Sequence, residues 1–482
     1  DARELFQEAE RIDPDFALAY WGEAMSHNHP LWRQQDRDAA LAALERFAPT
    51  PAARLSKTKT DRERGYMQAV DVLYGEGDKV ARDHAYSDAL AVLAHKYPED
   101  LEARAFYALS ILGTGQGVRD FSVYMRAAAV AEEVFAANPD HPGAAHYLIH
   151  SYDDPVHAPL GLRPARVYAQ IAPAASHAQH MISHIFVALG EWDRSVDANV
   201  KSFDVSVDRR ARKNLGVDAN NYHALHWLEY SYLQLGRFKD AREALDRMHE
   251  YAKESGSARA LSYHAAMRAA YIVETGGGEA PPSIDLEDTP LTGAVGDLFA
   301  TGYAAVLAGE IGRAETITGR LRVRHDTAAA GQRGGDHGVA ANPTRRDLVV
   351  SRIMQDSLSA LIAAHKGETE RTAELFEKAT VAEAAMALDF GPPNIVKPSH
   401  EAYGEALLAW GRPADARKQF EIALQRAPRR SRSLAGLARA AQAVHDTTAF
   451  ARACDDLSAN WAQAMESVRV ASPCRRREMA AR

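Results

Sequence analysis

Apolar residues along this 482-residue chain recur at intervals of three and four and almost nowhere alternate. Such spacing sets one stripe of a helix against a core, whereas alternation would mark strands. Segments of roughly 12–16 residues, rich in Ala, Leu, Tyr and charged side chains, follow one another. Short turns separate them: LGEWD at 189–193, LGRFKD at 235–240, HKGETE at 365–370 and WGRPAD at 410–415. The pattern predicts an all-α chain of antiparallel helix hairpins. Three Pro- or Gly-rich stretches interrupt it, at 153–162, 275–290 and 328–344. Loops this long inside a helical array often act as lids or binding loops, and 391–397 (GPPNIVK) is a further candidate. The Gly-rich stretch follows no strand, so it does not read as a phosphate loop.

The clearest unit is 397–428, KPSHEAYGEALLAWGRPADARKQFEIALQRAP. It carries Gly404 in its first helix, Gly411 at the turn, Ala416, Phe420 and Ala423 in its second helix, and Pro428 as a stop. This unit resembles a tetratricopeptide repeat (TPR), whose period is about 34 residues. The same frame fits 222–248 (Gly236, Phe238, Ala241, Leu245), 176–202 (Gly190, Trp192, Ser195), 295–321 (Gly309, Ala314) and 353–379 (Gly367, Phe376). The resemblance implies a TPR-like superhelix of helix hairpins, able to close around a central pocket. It also implies that the first helix of each pair lines a concave groove, while leaving the chemistry open. The expected organisation is a single domain over 1–482: N-terminal repeats to 275, a loop-rich segment with one hairpin over 276–345, C-terminal repeats over 346–450, and a terminal helix and tail over 451–482.

A net charge of −8 argues against nucleic acid as a main partner. The short basic runs Arg429/Arg430/Arg432 and Arg475/Arg476/Arg477 read as solvated surface. No stretch approaches the ~18 apolar residues of a membrane span. The chain begins at Asp1 without Met, so both a cytoplasmic protein and an exported one lacking its leader remain compatible. The two cysteines, Cys454 and Cys474, form no C-x-x-C motif; a terminal disulfide and free thiols both remain open.

Histidine carries the chemistry. Of 20 in the chain, eight lie between Ala145 and Trp227: His146, His150, His157, His177, His180, His184, His223 and His226. The i, i+4 pair His146/His150, the i, i+3, i+7 set His177/His180/His184 and the i, i+3 pair His223/His226 each project from one helix face. In the repeat frame, seven of these fall on positions that the resemblance assigns to the groove. His157, in the loop after its helix, reads equally as an extra ligand and as a cap. Glu401 and Glu405 occupy equivalent positions in a later repeat, and Glu23 and His27 form an i, i+4 pair in the first. A tightly curled superhelix would bring those carboxylates over the histidines as acid–base groups.

Imidazole is the commonest ligand for first-row transition metals. With no cysteine nearby, a thiolate zinc site is excluded. So many imidazoles suggest two or more ions, in a ligand pattern that resembles coupled dinuclear copper proteins; Met25 and Met181 lie beside candidate ligands. Copper is therefore the favoured cofactor. Iron would draw on the glutamates, and zinc would activate a water for hydrolysis. His400-Glu401 lacks the second histidine of H-E-x-x-H, having Gly404 in its place, and no G-x-S-x-G elbow is present. The lead reading is a copper-dependent oxidase or oxygenase acting on a small organic substrate. The alternatives are a non-catalytic metal- or peptide-binding repeat scaffold, with a protein or peptide partner, and a zinc-dependent hydrolase.

Overall fold

In a computed structural model, residues 2–475 are described apart from 116–118, 285, 288, 333–342 and 389. The basic residues Arg476 and Arg477 and most of the Gly-rich stretch at 328–344 lie outside the described residues. Among the described residues there are 24 α-helices and one two-residue antiparallel pair, Asn28–His29 with Gln34–Gln35. The architecture is all-α and TPR-like, built from antiparallel helix hairpins. No described helix is long and apolar enough to cross a membrane. The chain packs as two compact units, Asp1–Tyr152 with Leu160–Ile171, and Asp153–Pro159 with Ala172–Arg482.

In the first unit, short polar residues start the helices. The side chains of Asp36, Thr50, Thr60, Asp78, Asp100 and Asp120 each accept a backbone N–H that the first helical turn leaves unsatisfied. The core gathers around Trp21, whose ring meets Tyr66 at 5.1 Å and Phe106 at 4.9 Å.

In the second unit the five glycines read as hairpin turns, Gly190, Gly236, Gly309, Gly367 and Gly411, all have φ between 65° and 76°. At Gly190 this left-handed conformation ends the Ser176–Leu189 helix, and the Gly190 N–H closes it on the Val187 carbonyl at 3.0 Å. Aromatics fill the seams as expected: a Cβ on Gly404 would lie 2.8 Å from the Phe420 ring.

Residues distant in sequence meet within this unit. Trp192 Nε1 donates to the Arg429 carbonyl (3.1 Å), Ser431 N–H to Gln234 Oε1 (3.0 Å), and Met465 N–H to the Gly236 carbonyl (3.1 Å). Arg430, read from sequence as solvated, is fully buried. Its guanidinium donates to Glu401 (2.8 and 3.1 Å) and to the Tyr230 hydroxyl (2.7 Å), and it pairs with Glu274 at 2.5 Å. Four such contacts offset the desolvation that a buried charge would otherwise suffer. The C-terminal segment is tied back by a Cys454–Cys474 disulfide, with Cα atoms 5.4 Å apart.

Candidate metal centre

His180 and His184 lie one turn apart on the Ser176–Leu189 helix, and His223 stands in the first turn of the Tyr222–Gln234 helix. Asn221 caps that second helix through Ala224 N–H (3.1 Å), and its amide donates to Ser176 Oγ (3.0 Å), which ties the two helix starts together. One ring nitrogen of each histidine lies within 4.8 Å of the others. His180 Nε2 and His184 Nε2 are 3.0 Å apart, and the His180 and His223 ring centres are 4.5 Å apart.

The outer nitrogens decide what the inner ones present. Asn199 donates its amide N–H to the Ser195 carbonyl (2.8 Å), which turns Oδ1 toward His180 Nδ1 at 2.7 Å. An amide oxygen only accepts, so His180 carries its proton on Nδ1 and a lone pair on Nε2. Asp153 Oδ2 lies 2.5 Å from His184 Nδ1 and imposes the same tautomer. On His223, Nδ1 faces the Tyr263 hydroxyl at 3.3 Å, while Nε2 is buried without a hydrogen-bond partner among the described residues. Two lone pairs therefore face each other across 3.0 Å between His180 and His184. Only a proton or a metal ion in that gap relieves their repulsion. Tetrahedral zinc, with N–Zn distances of ~2.0–2.1 Å, places ligand nitrogens about 3.3 Å apart. Carboxylate or carbonyl oxygens behind ligating histidines are the usual outer support of such centres.

Desolvation, reinforced by the neighbouring imidazoles, holds His180 and His223 well below the ordinary histidine range. Both are neutral at pH 7, the form that ligates. An aromatic wall backs the trio: the Trp227 ring lies 4.8 Å from that of His180 and 4.4 Å from that of His184, and Phe390 stacks on His184 at 5.5 Å. Gly391, at φ 79°, presses its backbone on Trp227, where a Cβ would come within 2.1 Å. Gly391, the first residue of the 391–397 loop, thus borders the site.

The remaining candidates are placed as follows. His177 is exposed at the start of the His180 helix. His226 is half-buried against Tyr263, ring centres 6.0 Å apart, and desolvation brings it down to about 4. His157 hydrogen-bonds Asp154 at 2.9 Å, next to the start of the Ala158–Ile171 helix. In the first unit, the His146 and His150 rings are 4.8 Å apart, with His146 stacked on Tyr168 at 5.3 Å and His150 edge-on to Trp32 at 6.1 Å. His27 is buried just beyond the Ala17–Met25 helix, where desolvation lowers it.

The three glutamates expected as acid–base groups are engaged otherwise. Glu23 accepts from Gln7 (2.8 Å) and pairs with Arg46, which also binds Glu10 at 3.0 Å. Glu401 is fully buried between Lys397 (3.1 Å), Arg430 and Ser433 (2.7 Å). Desolvation raises its pKa, but the charges of Arg430, Lys397 and Arg432 outweigh this and hold it well below the carboxylate range. Glu405 binds Lys397 at 2.9 Å and Arg432 at 3.4 Å. These groups anchor cations, a role that opposes proton uptake. The repeat positions of Glu401 and Glu405 were legible; Lys397, Arg430 and Arg432, which claim them, were not.

Sequence reasoning also passed over Asn199 and Asp153. A signal existed for Asn199, which follows its turn glycine Gly190 by nine positions. The same offset holds Leu245 after Gly236, Phe376 after Gly367 and Phe420 after Gly411, with Thr318 after Gly309 as the other polar case. A polar residue at a seam-filling position marks a local departure from packing.

No family model and no curated protein matches the chain. Among solved structures it is similar to the human IFIT1 dimer with PPP-AAAA, at 11% identity over 92% of this chain and 94% of that one, with a TM-score of 0.39. It is also similar to yeast Tom70, at 12% identity over 92% and 85% with a TM-score of 0.34. For the TPR domain of P58(IPK) the values are 14% identity over 75% and 93%, with a TM-score of 0.21. The fold assignment rests on the chain's own hairpins.

Proposed function

We propose that this chain is a metal-binding helical-repeat protein whose ion is held by His180, His184 and His223. The observation that carries the reading is the 3.0 Å approach of His180 Nε2 to His184 Nε2, with an oxygen acceptor at the outer nitrogen of each ring. An all-imidazole set without thiolate suits copper or zinc, and it lacks the carboxylates that iron favours. A non-catalytic binding or delivery role is the better supported one, because Glu23, Glu401 and Glu405, the expected acid–base groups, are bound to cations. A copper-dependent oxidase acting on a small organic substrate is the second reading, favoured by the all-nitrogen ligand set.

The test is metal content by elemental mass spectrometry, with calorimetric titration of the apo-protein, on an untagged chain and its His184→Ala and His223→Ala variants. The expected result is one zinc or copper ion per chain bound through the trio, and lost in both variants while their circular dichroism stays helical. Unchanged metal binding in both variants would refute the site. Oxygen consumption by a copper-loaded chain with phenols or amines would support the second reading.

A further inference from the structure

The second unit holds a half-open cavity of about 620 Å³ that no histidine lines, between the Ala258–Thr275, Leu291–Leu307 and Ile311–Gln332 helices. Its remaining wall comes from the Pro- and Gly-rich stretch at 275–290, one of the long loops expected from sequence as a lid or binding loop. Arginines hold that wall in place: Arg268 Nε donates to the Pro281 carbonyl (2.7 Å), and Arg324 Nη2 to those of Leu286 and Thr289 (2.9 Å each). The volume is that of pockets which take a small organic ligand.

Two chemistries line the cavity. Ile284, Leu286, Leu298 and Ile317 give it an apolar side. Charge gives the other. Asp297 is 2% exposed and already satisfied, accepting from Arg268 (2.6 Å) and from the Ser283 hydroxyl (2.8 Å), so its charge and that of Arg268 cancel locally. Arg313 and Arg320 stand seven residues apart on one face of the Ile311–Gln332 helix. Arg313 has an exposed pair with Glu310 (2.8 Å), a contact that water screens heavily. Arg320 is exposed and has no ion-pair or hydrogen-bond partner among the described residues. The hydroxyl protons are spent on the protein, that of Thr301 on the Asp297 carbonyl (2.8 Å) and that of Thr316 on the Gly312 carbonyl (2.9 Å). The uncommitted donors are therefore guanidinium N–H groups, and the excess charge is positive.

We propose that this cavity binds a small amphipathic organic anion, its carboxylate at Arg320 and Arg313 and its aliphatic or aromatic body against Leu298 and Ile317. A guanidinium presents paired N–H donors in the geometry of a carboxylate. A bare inorganic anion would leave the apolar side wet, and an uncharged apolar molecule would gain burial alone and leave Arg320 unmatched. The site is independent of the histidine centre, with which it shares no lining residue.

The experiment titrates the full-length protein with octanoate by calorimetry, with octanol and inorganic phosphate as separate probes. It is repeated on Arg320→Ala and Ser283→Trp, both at exposed positions and both checked by circular dichroism for unchanged helicity. Octanoate is expected to bind saturably at one site per chain, more tightly than either other probe. Arg320→Ala should weaken octanoate about tenfold, the lower end for a hydrogen bond to a charged group, and leave octanol unaffected. Ser283→Trp, whose indole fills the cavity, should abolish binding of octanoate. Octanol bound as tightly as octanoate would overturn the part given to charge, and phosphate bound as tightly would overturn the part given to the apolar side. A helical protein that does not bind octanoate, or variants that both bind it like the wild type, would overturn the site altogether.

Discussion

Replacing Arg430 by Met tests the ion network that joins residues 200 positions apart in the second unit. The guanidinium is fully buried and satisfies three groups: Glu401 through two hydrogen bonds, Tyr230 through one, and Glu274 through a 2.5 Å ion pair. In Arg430→Met, Glu401 keeps Lys397 at 3.1 Å and Ser433 at 2.7 Å, so part of its charge stays compensated. Glu274, itself only 5% exposed, loses its ion-pair partner. Breaking one side of a buried pair in this way destabilises by about 3–5 kcal/mol, because an uncompensated charge is left in a poorly solvated place. Against a total of about 5–15 kcal/mol for a folded domain, that is a large fraction. Urea unfolding followed by circular dichroism, with Trp192 fluorescence as a local probe beside the Arg429 carbonyl, measures the loss. The triple variant Arg430→Met/Glu401→Met/Glu274→Gln should recover part of it, since the carboxylate left uncompensated is removed together with the guanidinium, while Lys397 and Arg432 keep Glu405 as their partner. A loss below about 1 kcal/mol in the single variant, or no recovery in the triple one, would refute the argument that these charges are held by each other.

Three further outcomes follow from the geometry. Asn199→Leu supplies the apolar seam residue found at the equivalent place in three other hairpins (Leu245, Phe376, Phe420) but removes the acceptor on His180 Nδ1; metal affinity should fall about 10- to 100-fold in calorimetric titration while the apo-protein stays folded, and unchanged affinity would discount the tautomer argument. In the first unit, burial and the neighbouring Glu23 push the Glu10 carboxyl up to about 7 from 4.5. A carboxyl raised on folding favours the folded state most below its unfolded pKa, and that contribution is lost as pH rises through the folded one. Wild-type thermal midpoints should therefore drop between pH 4.5 and about 7 relative to Glu10→Gln, and parallel curves for the two proteins would exclude the effect. Cys454 and Cys474 are separated by 20 residues, so in the chain-entropy account their bond contributes about 3 kcal/mol. Reduction should loosen the tail and change Trp461 fluorescence at urea concentrations where the oxidised protein is unaffected; identical unfolding curves would count against it.

Much of the architecture is already present in local sequence. Helix periodicity and turn glycines act over a few residues, so the hairpins around Gly190, Gly236, Gly309, Gly367 and Gly411 were readable without any knowledge of what packs on them. The i, i+4 spacing of His180 and His184 likewise places both rings on one face by helix geometry alone, and the repeat frame placed His223 in a neighbouring first helix. What these residues do with their nitrogens depends on partners outside the helix. Asp153 lies 31 positions before His184, and Tyr263 lies 40 after His223. Neither separation has a sequence period. The same holds for charge. Glu401 sits at a repeat position that could have held an acid–base group, and Arg430 in a run that looked like surface. Each acquired its role only when the fold desolvated both and left them each other as partners. Local spacing determines which residues share a face; burial and long-range pairing, which exist only in the folded chain, determine which of them remain charged, neutral or open to a ligand.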